Sequence, residues 1–255
     1  MLLAIDAGNS TVKFGFFAED APAHVFSAGS RPETTADEYL SFLKVHMDRV
    51  GLDKDIDGVV ISSVVPSVLL TLFETMRSMT DVTPMVVSAR LKLGIRIDYK
   101  TPDTLGSDRI AAASEAYHAR GGPVIVADFG TASTFTAVDA SGALLGGMIA
   151  PGLLTGYTAL MDKTSGIPKT GLSFPGHVIG RSSMEAVQSG VIFGHATMAA
   201  GLIAMAAEEL GGKASVVVTG GLAHLVLPHI GIEAASEPDL VLLGLHRIHG
   251  LNITK

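Results

Sequence analysis

The stretch Leu2-Leu3-Ala4-Ile5-Asp6-Ala7-Gly8-Asn9-Ser10-Thr11-Val12-Lys13-Phe14-Gly15-Phe16-Phe17 decides the fold class. An apolar run, a turn of small and polar residues, and a β-branched and aromatic run predict a strand, a tight turn and a returning strand. The pattern recurs as Val124-Ile125-Val126-Ala127, then Asp128-Phe129-Gly130-Thr131-Ala132-Ser133-Thr134, then Phe135-Thr136-Ala137-Val138-Asp139. The two Asp-x-Gly turns stand close to half the chain length apart, which predicts a duplicated domain.

Around the first hairpin, Tyr39, Leu40, Leu43 and Met47 fall at helical spacing, predicting a helix over 36–50. Residues 58–65 read as a buried strand, and Pro66 opens a helix through 79. Met85-Val86-Val87 is a short strand, 101–105 a loop, and 107–120 a helix ended by Gly121-Gly122-Pro123. Beyond the second hairpin come a Gly-rich segment (142–156), a polar loop (163–176) and a long helix (183–210). A strand at 215–218 and a final helix at 239–251 complete the chain. Alternating strands and helices predict an α/β protein of two domains, 1–120 and 121–255.

Composition narrows the function. The 255 residues carry a net charge of -7, with 18 Lys and Arg and no basic run, which disfavours nucleic acid as a partner. The absence of Cys removes disulfides, thiolate nucleophiles and Cys-ligated metals. Met1 leads straight into an apolar run that meets Asp6, without the basic start of a signal peptide. Residues 140–161 hold five glycines and Pro151, too many breaks for a membrane span. Residues 186–207 contain Gly190-x-x-x-Gly194, but Gln188, Ser189 and His195 interrupt them. They read as a helix buried at a domain or subunit contact, in a soluble cytoplasmic protein with no membrane partner.

The turns carry chemistry. Gly8 lets phosphate approach backbone N–H groups, Asn9, Ser10 and Thr11 add donors, and Lys13 offsets phosphate charge. Asp6 cannot touch phosphate directly, so it suits Mg²⁺ or its water shell. Alone, such a turn is equally a hairpin whose Asp caps its own loop. Two such turns facing each other across a cleft would form a phosphate clamp. A third element, Val218-Thr219-Gly220-Gly221, offers small residues against which a nucleoside can lie. The three together resemble the phosphate-1, phosphate-2 and adenosine motifs of the superfamily of actin, sugar kinases and Hsp70. The usual P-loop is absent, so ATP would be held by hairpins.

The most specific segment is Tyr99-Lys100-Thr101-Pro102-Asp103-Thr104-Leu105-Gly106-Ser107-Asp108-Arg109. Asp108 falls in the first turn of a helix, where its charge is favoured and where it can accept a hydroxyl proton. Arg109 is a fork suited to a carboxylate. Base and clamp together imply a substrate bearing a hydroxyl and a carboxylate. Alone, the pair is equally a helix cap and a surface ion pair.

Across nearly its whole length the chain resembles the type III pantothenate kinases. The resemblance rests on Asp6-Ala-Gly-Asn-Ser10, Tyr99…Pro102…Leu-Gly-Ser-Asp-Arg109, Asp128-Phe-Gly-Thr131 and Gly147-x-x-x-Pro151-Gly152. It continues through Ile179-Gly-Arg-Ser-Ser183, Ala186-Val-Gln188-Ser-Gly190 and Thr219-Gly-Gly221. It implies two tandem ribonuclease H-like (actin-like ATPase) domains with a nucleotide cleft between them. The implied reaction moves the γ-phosphate of ATP to pantothenate, giving 4'-phosphopantothenate in the first step of coenzyme A synthesis. By the same resemblance Asp108 is the catalytic base. Asp6, Ala7, Gly8, Asn9, Ser10, Thr11, Val12, Lys13 and Thr131 bind ATP. Tyr99, Gly106, Ser107, Asp108, Arg109 and Ser183 bind pantothenate. Asp128 holds a monovalent cation, K⁺ or NH₄⁺, and a homodimer buries the helix near 186–207. The sequence departs from the family at Ser10, at Ser107 (usually Ala) and at Arg181-Ser182-Ser183 (usually Lys-Asn-Thr). The alternatives are a regulatory paralogue of the same family, acting as a transcriptional accessory factor, and a kinase for another small hydroxy acid. The nine His show no metal spacing beyond His246-x-x-His249, which reads as core or solvated histidine.

Overall fold

The computed structural model describes residues 1–52, 55–165 and 171–253, and the chain divides into two compact units. One comprises Met1–Ala119 with Asp239–Lys255, the other Arg120–Pro238.

In the first unit, Leu2–Ala7 (β1) and Thr11–Phe17 (β2) form the expected hairpin, with Asp6 opposite Lys13. Pro22–Gly29 (β3) extends it on the far side of β2. Ala36–Arg49 (α1) begins at a capping box in which Thr35 N–H donates to Glu38 Oε2 at 2.7 Å. Gly58–Ser63 (β4) lies parallel to β1, setting Ser62 beside Asp6 and Ser63 beside Ala7. Pro66–Met79 (α2), Met85–Val86 (β5), Arg96–Ile97 (β6) and Ser107–Arg120 (α3) follow. The sheet order is β3-β2-β1-β4-β5. Leu3, Ile5, Phe14, Phe16 and Ile61 from the sheet bury against Tyr39, Leu43, Val68, Leu72 and Met76 of α1 and α2. Each such side chain contributes roughly 1.5–3 kcal/mol on burial.

In the second unit, Val124–Phe129 (β7) and Ala132–Val138 (β8) repeat the hairpin, with Asp128 opposite Thr134. The Gly-rich segment, left without an element in the sequence reading, forms Ala143–Pro151 (β9) and Leu153–Lys163 (α4). Part of the predicted polar loop, residues 166–170, lies outside the described residues. Ser183–Glu209 (α5), Ser215–Thr219 (β10), Ala223–Val226 (α6) and Ala235–Ser236 (β11) follow. Within the unit the strands run β11-β10-β7-β8-β9, with β10 parallel to β7. Ile125, Ala127, Phe129 and Phe135 pack against Ala196, Ala199 and Ile203 of α5.

One expectation needs correction. The break after Ala119 stands beside the expected one, but the second domain does not run to residue 255. Leu240–Asn252 (α7) packs on β1, β2 and β4 of the first unit, because its buried Leu242, Leu245 and Ile248 need an apolar sheet face. The helix α5, expected to be buried at a domain or subunit contact, is long and apolar enough to span a membrane by length and composition, and 22% of its most apolar window is buried within the single chain.

Candidate active site

In the first hairpin, Gly8 N–H donates to Thr11 C=O at 3.0 Å and closes the turn. Asn9, Ser10 and Thr11 are exposed at the tip, and Asp6 and Lys13 are half-buried at its base. Ala7 and Val12 belong to the hydrophobic core, so only their backbones can face a ligand.

The adjacent end of β4 leads to the predicted base. Pro102–Thr104 forms a 3-10 turn where a loop was expected, and Gly106 then delivers α3. Ser107 is buried, with Oγ 3.0 Å from Ser62 Oγ and accepting from Ser63 N–H at 3.0 Å. Asp108 is half-buried, and Arg109 N–H donates to its Oδ1 at 2.7 Å. Burial raises its carboxyl pKa above the ordinary aspartate value, against the opposing pull of the Arg109 N–H and the Arg109 charge. A carboxylate held this way is a stronger proton acceptor than one in water. Gly106 is required here: a Cβ would run into Asp108 Oδ1. Tyr99 stands half-buried on the segment between β6 and the 3-10 turn. The register of β1 with β4 thus brings the Asp6 hairpin and Asp108 to one end of one sheet.

In the second unit, Gly130 N–H donates to Ala132 C=O at 3.1 Å, the counterpart of the first turn. Thr131 is exposed at the tip; its carbonyl accepts from Gly152 N–H at 3.1 Å and Thr155 Oγ1 at 2.6 Å. Beside it, Gly220 follows β10 with φ +97°, a region closed to most side chains, and a Cβ there would meet Asp128 Oδ1 and the Phe129 backbone. Asp128 Oδ1 and the Phe129 backbone therefore lie directly against the Gly220 backbone, an approach that any side chain at 220 would block. Under this hairpin, Ser133 Oγ lies 2.9 Å from His195 Nε2, and burial lowers the His195 pKa. Ser183, the first residue of α5, is exposed and lines an open groove with Leu160, Ala186, Val187 and Gly190.

Sequence reasoning missed Ser62 and Ser182. Ser62 had a signal, a hydroxyl at the end of an otherwise apolar parallel strand. Ser182 caps α5, accepting from Glu185 N–H at 3.2 Å while Glu185 accepts from Arg181 N–H at 2.7 Å. The Ser-x-x-Glu spacing of a capping box was there to be read. Among the described residues no group of three acidic or His side chains could hold a metal ion. His246 instead stacks on Phe17 at 4.7 Å.

A sequence model of the type III pantothenate kinases matches residues 2–205. A type III pantothenate kinase from Moorella thermoacetica is 38% identical over 99% of this chain and 100% of its own length. Among solved structures, a conserved Campylobacter jejuni protein described as a Baf family transcriptional activator superposes with a TM-score of 0.59 at 18% identity, covering 96% of each chain. A ROK family glucokinase from Streptomyces griseus, with glucose and AMPPNP, gives 0.56 at 13% identity over 98% of this chain and 99% of its own. These likenesses show the fold alone, shared with both structures over nearly their whole length.

Proposed function

The chain belongs to the type III pantothenate kinase family, and on that premise we infer that it transfers the γ-phosphate of ATP to the primary hydroxyl of pantothenate, opening coenzyme A biosynthesis. The observation that carries this reading is Asp108, a carboxylate with a raised pKa at a helix start, followed directly by Arg109. Phosphoryl transfer asks little covalent chemistry of a protein, so positioning and charge do the catalysis. Asp108 accepts the hydroxyl proton as the oxygen attacks phosphorus, and Arg109 pairs with the pantothenate carboxylate. The Asp6–Lys13 hairpin receives the ATP phosphates on backbone N–H groups, hydroxyls and the Lys13 ammonium, and Thr131 adds a contact. Tyr99, Gly106, Ser183 and the backbone of Ser107 stand as the other proposed substrate groups.

Mg²⁺ near Asp6 and K⁺ or NH₄⁺ at Asp128 would each supply positive charge against the phosphates. The second assignment rests on the Asp128 carboxylate at the turn of the second hairpin, where β7 pairs with β8. A homodimer that covers the exposed face of α5 is consistent with an apolar helix so little buried within one chain. We place the protein in the cytoplasm, soluble, with neither nucleic acid nor membrane as partner. The test is ADP release with ATP, Mg²⁺ and K⁺ over a panel of hydroxy acids and sugars. Turnover with pantothenate alone is expected; equal turnover with another acceptor, or none with any, overturns the assignment.

A further inference from the structure

The Ser107 side chain is committed inside the protein. Its Oγ accepts from Ser63 N–H at 3.0 Å, stands 3.0 Å from Ser62 Oγ, and donates to Ser63 C=O at 3.3 Å. A hydroxyl has one proton and two lone pairs. With its proton on the Ser63 carbonyl, the remaining lone pair takes the Ser62 proton. All capacity is then used, in a site where Ser62 and Ser107 are both buried. None remains for a substrate.

The latch joins two elements that carry chemistry. Ser107 opens α3, and the next residue is Asp108. Ser62 and Ser63 end β4, where they pair in register with Asp6 and Ala7 of the phosphate hairpin. Val64 N–H donates to Ala7 C=O at 3.2 Å, locking the end of that pair. A helix fed by a loop through Gly106 gains from these bonds a directional tie to the strand, which non-directional apolar packing does not supply.

We propose that Ser62 and Ser107 are positioning residues, a hydroxyl latch that holds Asp108 at fixed distance from the phosphate hairpin, and that the Ser107 hydroxyl is not a pantothenate contact. The proposal rests on the reading of Asp108 as the base.

The test measures ADP release by Ser107→Ala, Ser62→Ala, the double variant, and each in an Asp108→Asn background, with thermal melts to confirm folding. Ser62→Ala should lower kcat by about 2- to 10-fold, the worth of one hydrogen bond, and Ser107→Ala, which removes all three contacts, by at least as much, with KM for pantothenate and ATP unchanged within about 2-fold. The double variant should lose no more than Ser107→Ala, because both act through one contact. In the Asp108→Asn background the serine substitutions should leave the residual rate unchanged. A folded Ser107→Ala enzyme with wild-type kcat overturns the latch, as does a raised KM for pantothenate. An equal loss in the Asp108→Asn background also overturns it, by showing a general structural role. Should Ser107→Ala not fold, Ser62→Ala decides, since it removes one bond and leaves the Ser63 contacts. Wild-type turnover by Asp108→Asn alone would instead remove the base assignment.

Discussion

Gly106→Ala separates catalysis from folding. The backbone at 106 is not among the glycines of positive φ, so alanine can adopt it. The added Cβ would stand 3.5 Å from Asp108 Cγ and 3.7 Å from Val64 Cγ1, both ordinary contacts, but it would overlap Asp108 Oδ1. Only the carboxylate must yield. Rotating it costs about 0.5–1.5 kcal/mol of rotamer energy. It also gives up the 2.7 Å bond from Arg109 N–H, worth about 1.5–3 kcal/mol for a charged acceptor. The sum is well inside the roughly 5–15 kcal/mol of an ordinary domain, so the variant should fold with a lowered melting temperature. Displacing a reacting group by about 1 Å costs on the order of 100-fold in rate. We therefore expect kcat to fall about 100-fold while KM for ATP is unchanged, read by ADP release beside a circular-dichroism melt. A folded Gly106→Ala enzyme with kcat within about 3-fold of wild type would refute both the geometry and the role given to Asp108.

Asp108→Asn should lower kcat by about 10²–10⁴-fold and yet raise the melting temperature at neutral pH. The folded carboxyl pKa lies above its free value, so stability declines as pH rises from the free value through the folded one, and an amide escapes that cost; a lowered melting temperature would count against it. Burial lowers the His195 pKa, so the unfolded chain takes up the proton first. The stability it lends is complete above the free histidine value of about pH 6.5 and is lost as pH falls from there through the lower folded value. His246 and His249 shift in the same direction, so the informative quantity is a difference: wild type should lose melting temperature on acidification more steeply than His195→Gln, and parallel curves would dismiss the effect. Replacing K⁺ and NH₄⁺ by Na⁺ should nearly abolish ATP turnover in the wild type but change little in an already impaired Asp128→Ala variant; full activity in sodium alone would remove the cation from Asp128.

Both hairpins are legible in the sequence because each joins a short apolar run to a turn that small residues almost dictate. Most helices are legible for a similar reason, from caps and spacing: Pro66, Ser107 and the run Tyr39, Leu43 mark their elements directly. The strand β3 is not, because it alternates exposed and half-buried residues and mixes His24, Ser27 and Gly29 with apolar ones. Nor is β9, whose glycines suggest a loop until pairing with β8 supplies the hydrogen bonds that its sequence does not advertise. In the site, Asp6 and Asp108 were read from their local settings. Their meeting at one sheet end depends on the parallel register of β1 with β4, a contact between segments far apart in sequence. That the Ser107 hydroxyl turns inward to Ser62 and Ser63 is not legible, because nothing in sequence says which way a side chain turns. At the Arg181-Ser182-Ser183 departure, Ser182 caps its helix, a role that Asn fills equally well.

The placement of α7 has a consequence for how the protein is made. Its residues Leu242, Leu245 and Ile248 cover the strands that bear the phosphate hairpin, and Leu242 packs against Gly15 of β2. The whole of Arg120–Pro238 lies between them in the chain. During synthesis the second unit can fold as soon as it emerges, while β1, β2 and β4 wait with one apolar face bare. Contacts of such long sequence separation form late and leave sticky surface exposed in the meantime. The N-terminal hairpin is thus completed only after the middle of the chain has been translated.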